Sequence, residues 1–158
     1  MIELPAAAKR VEAAALALGL SIEVRTTPAS TRTAAEAAAA VEASVGQIVK
    51  SLIFRGKTTE KPYLILASGT NRVNEPAMAE MLGEPITRPD AGFVRDTTGF
   101  AIGGVPPLGH AVRLTTFMDE DLLQYATIWA AAGTPYAVFA VAPARLRDAV
   151  QAQVIKVT

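Results

Sequence analysis

Two stretches carry residues whose types and spacing could do chemistry. The first is Ile48-Val-Lys-Ser-Leu-Ile-Phe54. Alternation puts Ile48, Lys50, Leu52 and Phe54 on one face of a strand, and Val49, Ser51 and Ile53 on the other. Both faces are apolar enough for an inner strand, where an unpaired ammonium is expensive to bury. Such a lysine needs an anionic partner or a lowered pKa. It could hold a phosphate or carboxylate, stabilise an oxyanion, or act as an amine nucleophile. The competing reading is a lysine at the sheet rim whose head snorkels into water.

The second stretch is Thr98-Gly-Phe-Ala-Ile-Gly-Gly-Val-Pro-Pro-Leu-Gly-His110. Gly103 and Gly104 allow close approach of the backbone to a ligand, and Pro106 and Pro107 stiffen the chain just beyond them. The amides of Gly103, Gly104 and Val105 are expected to be free to donate, which suits a cradle for a carbonyl or an oxyanion. An ordinary tight connection between strands is the plainer alternative. Gly133-Thr-Pro135 could wall a pocket, although routine turn chemistry explains it as well. His110 has no acid or nucleophile at a telling spacing and reads as a loop residue. Asp119, Glu120 and Asp121 read as acids at the positive end of a helix.

Composition narrows the chemistry further. The 158 residues hold no Cys, one His, and 15 acids against 15 bases. Thiol nucleophiles, disulfides and cysteine zinc sites are excluded, and a Ser–His–Asp triad would have only His110 as its base. No metal site and no cofactor are expected. Zero net charge argues against bulk coating of nucleic acid, so RNA contact would need a local patch. The start MIELPAAAKR lacks the pattern of a signal peptide, and no apolar run approaches the ~20 residues that span a bilayer. The expectation is a cytoplasmic protein with no membrane or DNA partner.

The elements that must position these residues alternate along the chain. Helices are expected over Pro5–Gly19, from the capping box Thr33-x-x-Glu36 to about Ala43, over Glu75–Leu82 behind Asn74, briefly from Pro89-Asp90 to Asp96, from Asp119, and from Pro143. Strands are expected over Ile22–Thr26, Gln47–Arg55, Tyr63–Ala67, Phe100–Gly104, Val112–Phe117, Thr127–Ala131, Ala137–Val141 and Val154–Val157. The second and third of these form a hairpin. Neither GxGxxG nor GxxxxGK[ST] occurs, so nucleotide-binding folds lose their main support. The pattern is that of one α+β domain over residues 1–158, a curved, mixed and mainly antiparallel sheet surrounded by short helices.

These motifs resemble the YbaK family, also called the aminoacyl-tRNA editing or prolyl-tRNA synthetase-associated domain. The likeness lies in Thr33-Ala-Ala-Glu-Ala-Ala, Gly46-Gln-Ile-Val-Lys-Ser-Leu-Ile-Phe54, Thr98 to Gly109, the Asp119 helix start, Trp129-Ala-Ala-Ala-Gly-Thr-Pro135 and the Pro143 helix. It implies a free-standing deacylase that hydrolyses the ester of a mischarged tRNA, most often tRNA for proline, with prolyl-tRNA synthetase as a possible partner. The family's lysine falls on Lys50, which would position the 3′ end of the substrate. The family's Gly-x-x-x-Pro loop falls on Gly103–Pro107, whose backbone would orient the scissile carbonyl and the attacking water. Gly104, Val105, Pro107, Thr33, Gly133 and Thr134 would line the substrate pocket. Arg32, Lys57, Arg72 and Arg113 are the candidates for tRNA phosphates. The family's cysteine-specific members place an aromatic residue near Thr33 and an acid near Val138; here both positions are small or apolar. That points to alanine or another small side chain. Two rivals are a non-catalytic tRNA-end or synthetase-binding module of the same fold, and a hydrolase of another small acyl ester.

Overall fold

The computed structural model describes residues 3–158. Helix α1 (Ala6–Ala17) follows Pro5 and buries Ala8, Val11 and Ala15, one stripe at helical spacing. Gly19, at φ 81°, turns the chain out of it. Helix α2 (Ala34–Val41) carries the expected capping box: Thr33 Oγ1 accepts from the Glu36 N–H at 3.1 Å, and Glu36 Oε1 accepts from the Thr33 N–H at 3.3 Å. Helix α3 (Glu75–Leu82) is capped by Asn74, α4 (Ala91–Thr98) by Asp90, and α5 (Pro143–Val150) opens with its proline. Helix α4 runs two turns where one was expected.

The strands are β1 (Val24–Thr26), β2 (Val49–Gly56), β3 (Pro62–Ser68), β4 (Ile86–Thr87), β5 (Thr115–Asp119), β6 (Ile128–Ala131), β7 (Ala137–Val141) and β8 (Gln153–Ile155). They form a three-stranded sheet in the order β1-β7-β6 and a five-stranded sheet in the order β4-β2-β3-β5-β8. A parallel bridge between Ile48 and Trp129 ties the two together. The β3–β5 and β5–β8 pairs are parallel and the other strand pairs antiparallel, so the mixed, mainly antiparallel α+β architecture stands. β2 and β3 are the expected hairpin, with Lys50 opposite Ala67 and Phe54 opposite Tyr63. Alternation sorts their side chains into two cores. Val49, Ile53, Leu64 and Leu66 pack with α1 and β7, while Phe54, Tyr63, Ile65 and Ala67 pack with Met78, Ile86 and Val157.

The two strands expected around the glycine–proline stretch need correction. Phe100–Gly104 is not a strand. Gly99, at φ 81°, ends α4, and Thr98 Oγ1 donates to the Val94 carbonyl while accepting from the Phe100 N–H. These bonds fold the chain back before it can extend. The strand expected over Val112–Phe117 begins only at Thr115, because the Ala111 and Val112 N–H groups donate to Thr98 and Thr97 at the end of α4. The orphan carbonyls of a helix end take the donors that a strand would have used. Asp119 starts one short 3-10 turn (Glu120–Gln124), accepting from the Asp121 N–H.

Candidate functional site

β2 is paired with β3 along its length on one edge, but its other edge is only partly covered. β4 takes Arg55 and Gly56, and the bridge to Trp129 takes Ile48. Between those ends the edge is open. The Gly56 N–H donates to Lys61 across the hairpin. In an antiparallel ladder the pairing groups alternate, so Ser51 and Ile53 turn their main-chain N–H and C=O toward the open edge. A cavity of about 520 Å³ lies there, within the size range of small-molecule sites. Ala34 and Ala37 of α2, Trp129 and Ala130 of β6, Val138 of β7, and Ile102, Gly103 and Val105 wall it.

The charged residues in that wall are Arg32, Lys50 and Arg88. Lys50 is half-buried, and its ammonium donates to the Asn71 carbonyl. Burial, then the charges of Arg88 and Arg72, hold it below the ordinary lysine value, against the pull of Asp119. Asn71 is itself held. Its carboxamide donates to Asp119 at 2.8 Å and to Asp121 at 2.7 Å. Asp119, 1% exposed, also accepts from the Ser68 and Asp121 N–H groups. Asp119 therefore caps the turn as read from the sequence, and together with Asp121 it also anchors the segment that holds the lysine.

The glycine loop sits against both Arg32 and the Gly133–Thr134 turn. Gly103 has φ 97°, and a Cβ there would lie 2.9 Å from Arg32 Nε. A Cβ on Gly104 would lie 2.6 Å from Thr134 Cα. The expected trio of free amides becomes a pair, because the Gly104 N–H donates to the Ala101 carbonyl at 3.2 Å. That bond closes the turn around Ile102 and Gly103. The Gly103 and Val105 amides have no partner among the described residues, and both residues line the cavity. His110 braces the loop from below through Nε2 and the Pro106 carbonyl, 2.7 Å apart. Burial holds its ring below the ordinary histidine value against that bond. Among the described residues, Ser51 Oγ is the one buried side-chain polar atom without a hydrogen bond.

The structure thus brings Lys50, Gly103, Val105, Thr33 and Arg32 around one cavity, with the Thr33 hydroxyl already engaged in its cap. Gly104, Pro107, Gly133 and Thr134, expected to line the pocket, are not among the residues that line it. Gly104 is pressed on the Gly133–Thr134 backbone, and Pro107 is buried. Arg72 is exposed near Lys50, Lys57 lies in the β2–β3 turn, and Arg113 pairs with Gln151 beside a separate depression. Arg88, Asn71 and Trp129 are site residues that sequence reasoning misses. Asn71 follows Gly69-Thr70 as an ordinary turn residue would, and nothing local marks Arg88.

An α+β fold thus holds an apolar cavity along the open edge of a strand, with one lysine of that strand and two loop residues with unpartnered amides among its lining, which makes it the candidate site. The chain belongs to the aminoacyl-tRNA editing domain family, whose pattern matches residues 28–149. A solved structure described as a candidate trans-editing enzyme for prolyl tRNA synthetase is 46% identical, with a TM-score of 0.93 and 99% of both chains covered. A second, described as hypothetical protein APE2540, is 32% identical with a TM-score of 0.86, covering 94% of this chain and 98% of that one. The YwhH protein of Bacillus subtilis (strain 168) is 29% identical over 119 residues, 75% of each chain.

Proposed function

We propose that this chain is a trans-acting deacylase that hydrolyses the ester of tRNA for proline carrying a small non-cognate amino acid such as alanine. The observation that carries this reading is the pairing of an apolar cavity with the unpartnered Gly103 and Val105 amides and the Lys50 ammonium on its wall. The aminoacyl group enters the cavity, its carbonyl oxygen toward the two amides. Lys50 holds the 3′ end of the tRNA from the strand side. Water adds to the carbonyl carbon, negative charge grows on the carbonyl oxygen, and the amides stabilise it. The ester C–O bond then breaks, and the leaving ribose oxygen takes up a proton released by the attacking water. No side-chain nucleophile is required, which suits a chain without Cys. Aligning water and ester in an apolar cavity supplies the rate.

The need for such an enzyme follows from binding energies. One methylene is worth only about 1–3 kcal/mol of discrimination, so a synthetase admits small wrong amino acids and a second sieve must remove them. Single-turnover hydrolysis of tRNA for proline charged with alanine, serine, cysteine or proline tests the reading. Hydrolysis of one small non-cognate ester, lost in Lys50→Ala with the fold retained, supports it. Binding of these tRNAs with no hydrolysis above background would make the chain a binding module instead. Hydrolysis of small esters without tRNA would make it a general esterase.

A further inference from the structure

The cavity wall of this net-neutral chain carries three cations and no carboxylate, and one of those cations is already touching an anion. Arg88 stands 61% exposed at the rim, with Nε 3.5 Å from a Glu75 carboxylate oxygen at the start of α3. Its guanidinium carbon lies 5.7 Å from the centroid of the Phe54 ring, which is buried and on the same face of β2 as Lys50. A ring beneath a guanidinium limits its wandering and leaves its edge donors facing outward. Arg72 is exposed nearby, and its charge and that of Arg88 both reach Lys50. The acid that opposes them, Asp119, is buried and holds Ser68, Asn71 and Asp121, so it is not a counter-ion for the rim.

We propose that Arg88, with Lys50 and Arg72 beside it, seats a phosphodiester of the single-stranded 3′ end of tRNA, and that Glu75 occupies that seat while the tRNA is absent. The proposal rests on the reading of the cavity as an aminoacyl-tRNA site and names the residue that grips the strand leading into it. The exposed pair to Glu75 is weak and is displaced readily, because pairs of this kind contribute about 0–1 kcal/mol. A phosphodiester offers two oxygens to the guanidinium fork, a stronger and more directional partner. Phosphate contacts set the register of the strand without reading its sequence. In this site they would fix how far the terminal ribose reaches toward Gly103.

Binding of deacylated tRNA for proline, followed against salt concentration, tests the proposal without depending on hydrolysis. Each phosphate contact to a single strand contributes about 0.7 to the slope of log K against log salt. Arg88→Gln is expected to lower the slope by about that amount. Glu75→Gln, which removes the competing carboxylate, is expected to tighten binding by up to about fivefold, the worth of an exposed ion pair. The difference between the wild type and Arg88→Gln should vanish on tRNA trimmed of its single-stranded 3′ end. An unchanged slope in Arg88→Gln, or an equal loss on trimmed tRNA, overturns the proposal. So does Glu75→Gln binding no tighter than the wild type. A shifted slope in a protein that hydrolyses no aminoacyl-tRNA would keep the seat and remove the deacylase.

Discussion

Gly104→Ala is the sharpest test of how the loop is held. Gly104 does not have a positive φ, so the added methyl brings no left-handed strain, and any cost is steric. An ideal Cβ there lies 2.6 Å from Thr134 Cα, 2.7 Å from Thr134 N and 2.8 Å from the Gly133 carbonyl carbon. Carbon atoms rest about 3.5–4.0 Å apart, so the two backbones must separate by about 1 Å. None of the three atoms is the end of a flexible side chain. Gly133 is itself pinned, at φ 92° with Ala7 of α1 against it. Overpacking of this kind costs about 1–3 kcal/mol, which for a chain of this size lowers Tm by roughly 2–12 °C. A shift of about 1 Å in positioning groups can cost roughly 10²-fold in rate. Gly83→Ala is the comparison, since a Cβ there meets nothing within 4 Å and only the φ of 81° is strained. Thermal unfolding and single-turnover deacylation should show Gly104→Ala losing both stability and rate, and Gly83→Ala losing stability alone. A Gly104→Ala protein with wild-type Tm and wild-type rate would refute the claim that the two loops position each other.

Two further outcomes are expected of the polar networks around Glu84 and Asn71. Glu84, held down to about pKa 2 first by the Thr59 N–H, then by the Thr59 and Tyr63 hydroxyls and the Thr58 N–H against the opposing effect of burial, has a folded pKa below its ordinary 4.5. Its contribution is therefore complete above about pH 4.5 and lost as pH falls toward 2; Glu84→Gln should lower Tm at pH 7 and flatten its fall across that window, and an unchanged acid profile would refute this. Asn71→Ala keeps the carbonyl that holds Lys50 but cuts its turn loose from Asp119 and Asp121; with hydrogen bonds to charged groups worth roughly 1.5–3 kcal/mol, the deacylation rate should fall about 10–100-fold, whereas a rate within twofold of wild type would show that Lys50 needs no such support.

What could be read from the sequence was what depends on near neighbours. The Thr33–Glu36 box, the β2–β3 hairpin and the stops at Gly19 and Gly83 are set by residues a few positions apart, and each is where the pattern put it. The alternation in Ile48–Phe54 marked Lys50 as misplaced in an apolar strand, and the structure gives it a cavity and a carbonyl. Phe100–Gly104 misled because Phe-Ala-Ile has strand composition, while the bonds that bend it come from Thr98. The amide of Gly104 misled for a related reason, since its acceptor is only three residues away but needs a turn that no pattern announces. Asn71 and Asp119 meet because β3 pairs with β5 in parallel, about fifty residues on. Arg88 reaches the rim because β4 pairs with the far end of β2. Contacts of that range leave no local trace.

The open edge of β2 ties these observations into one design. Unpaired main-chain groups on an interior strand invite wrong partners and are normally covered. Here the two neighbours that could cover it stop short: β4 pairs only with Arg55 and Gly56, and β6 bridges only to Ile48. Extending either strand by a few residues would satisfy Ser51 and Ile53 and fill the cavity. It would also bury Lys50 beneath a partner strand with no room for a substrate. The same gap therefore leaves the main-chain groups of Ser51 and Ile53 turned toward the cavity whose wall Lys50 shares. The ester hydrolysis by water proposed above, in a chain without Cys, depends on that gap staying open and on the cations staying at its rim.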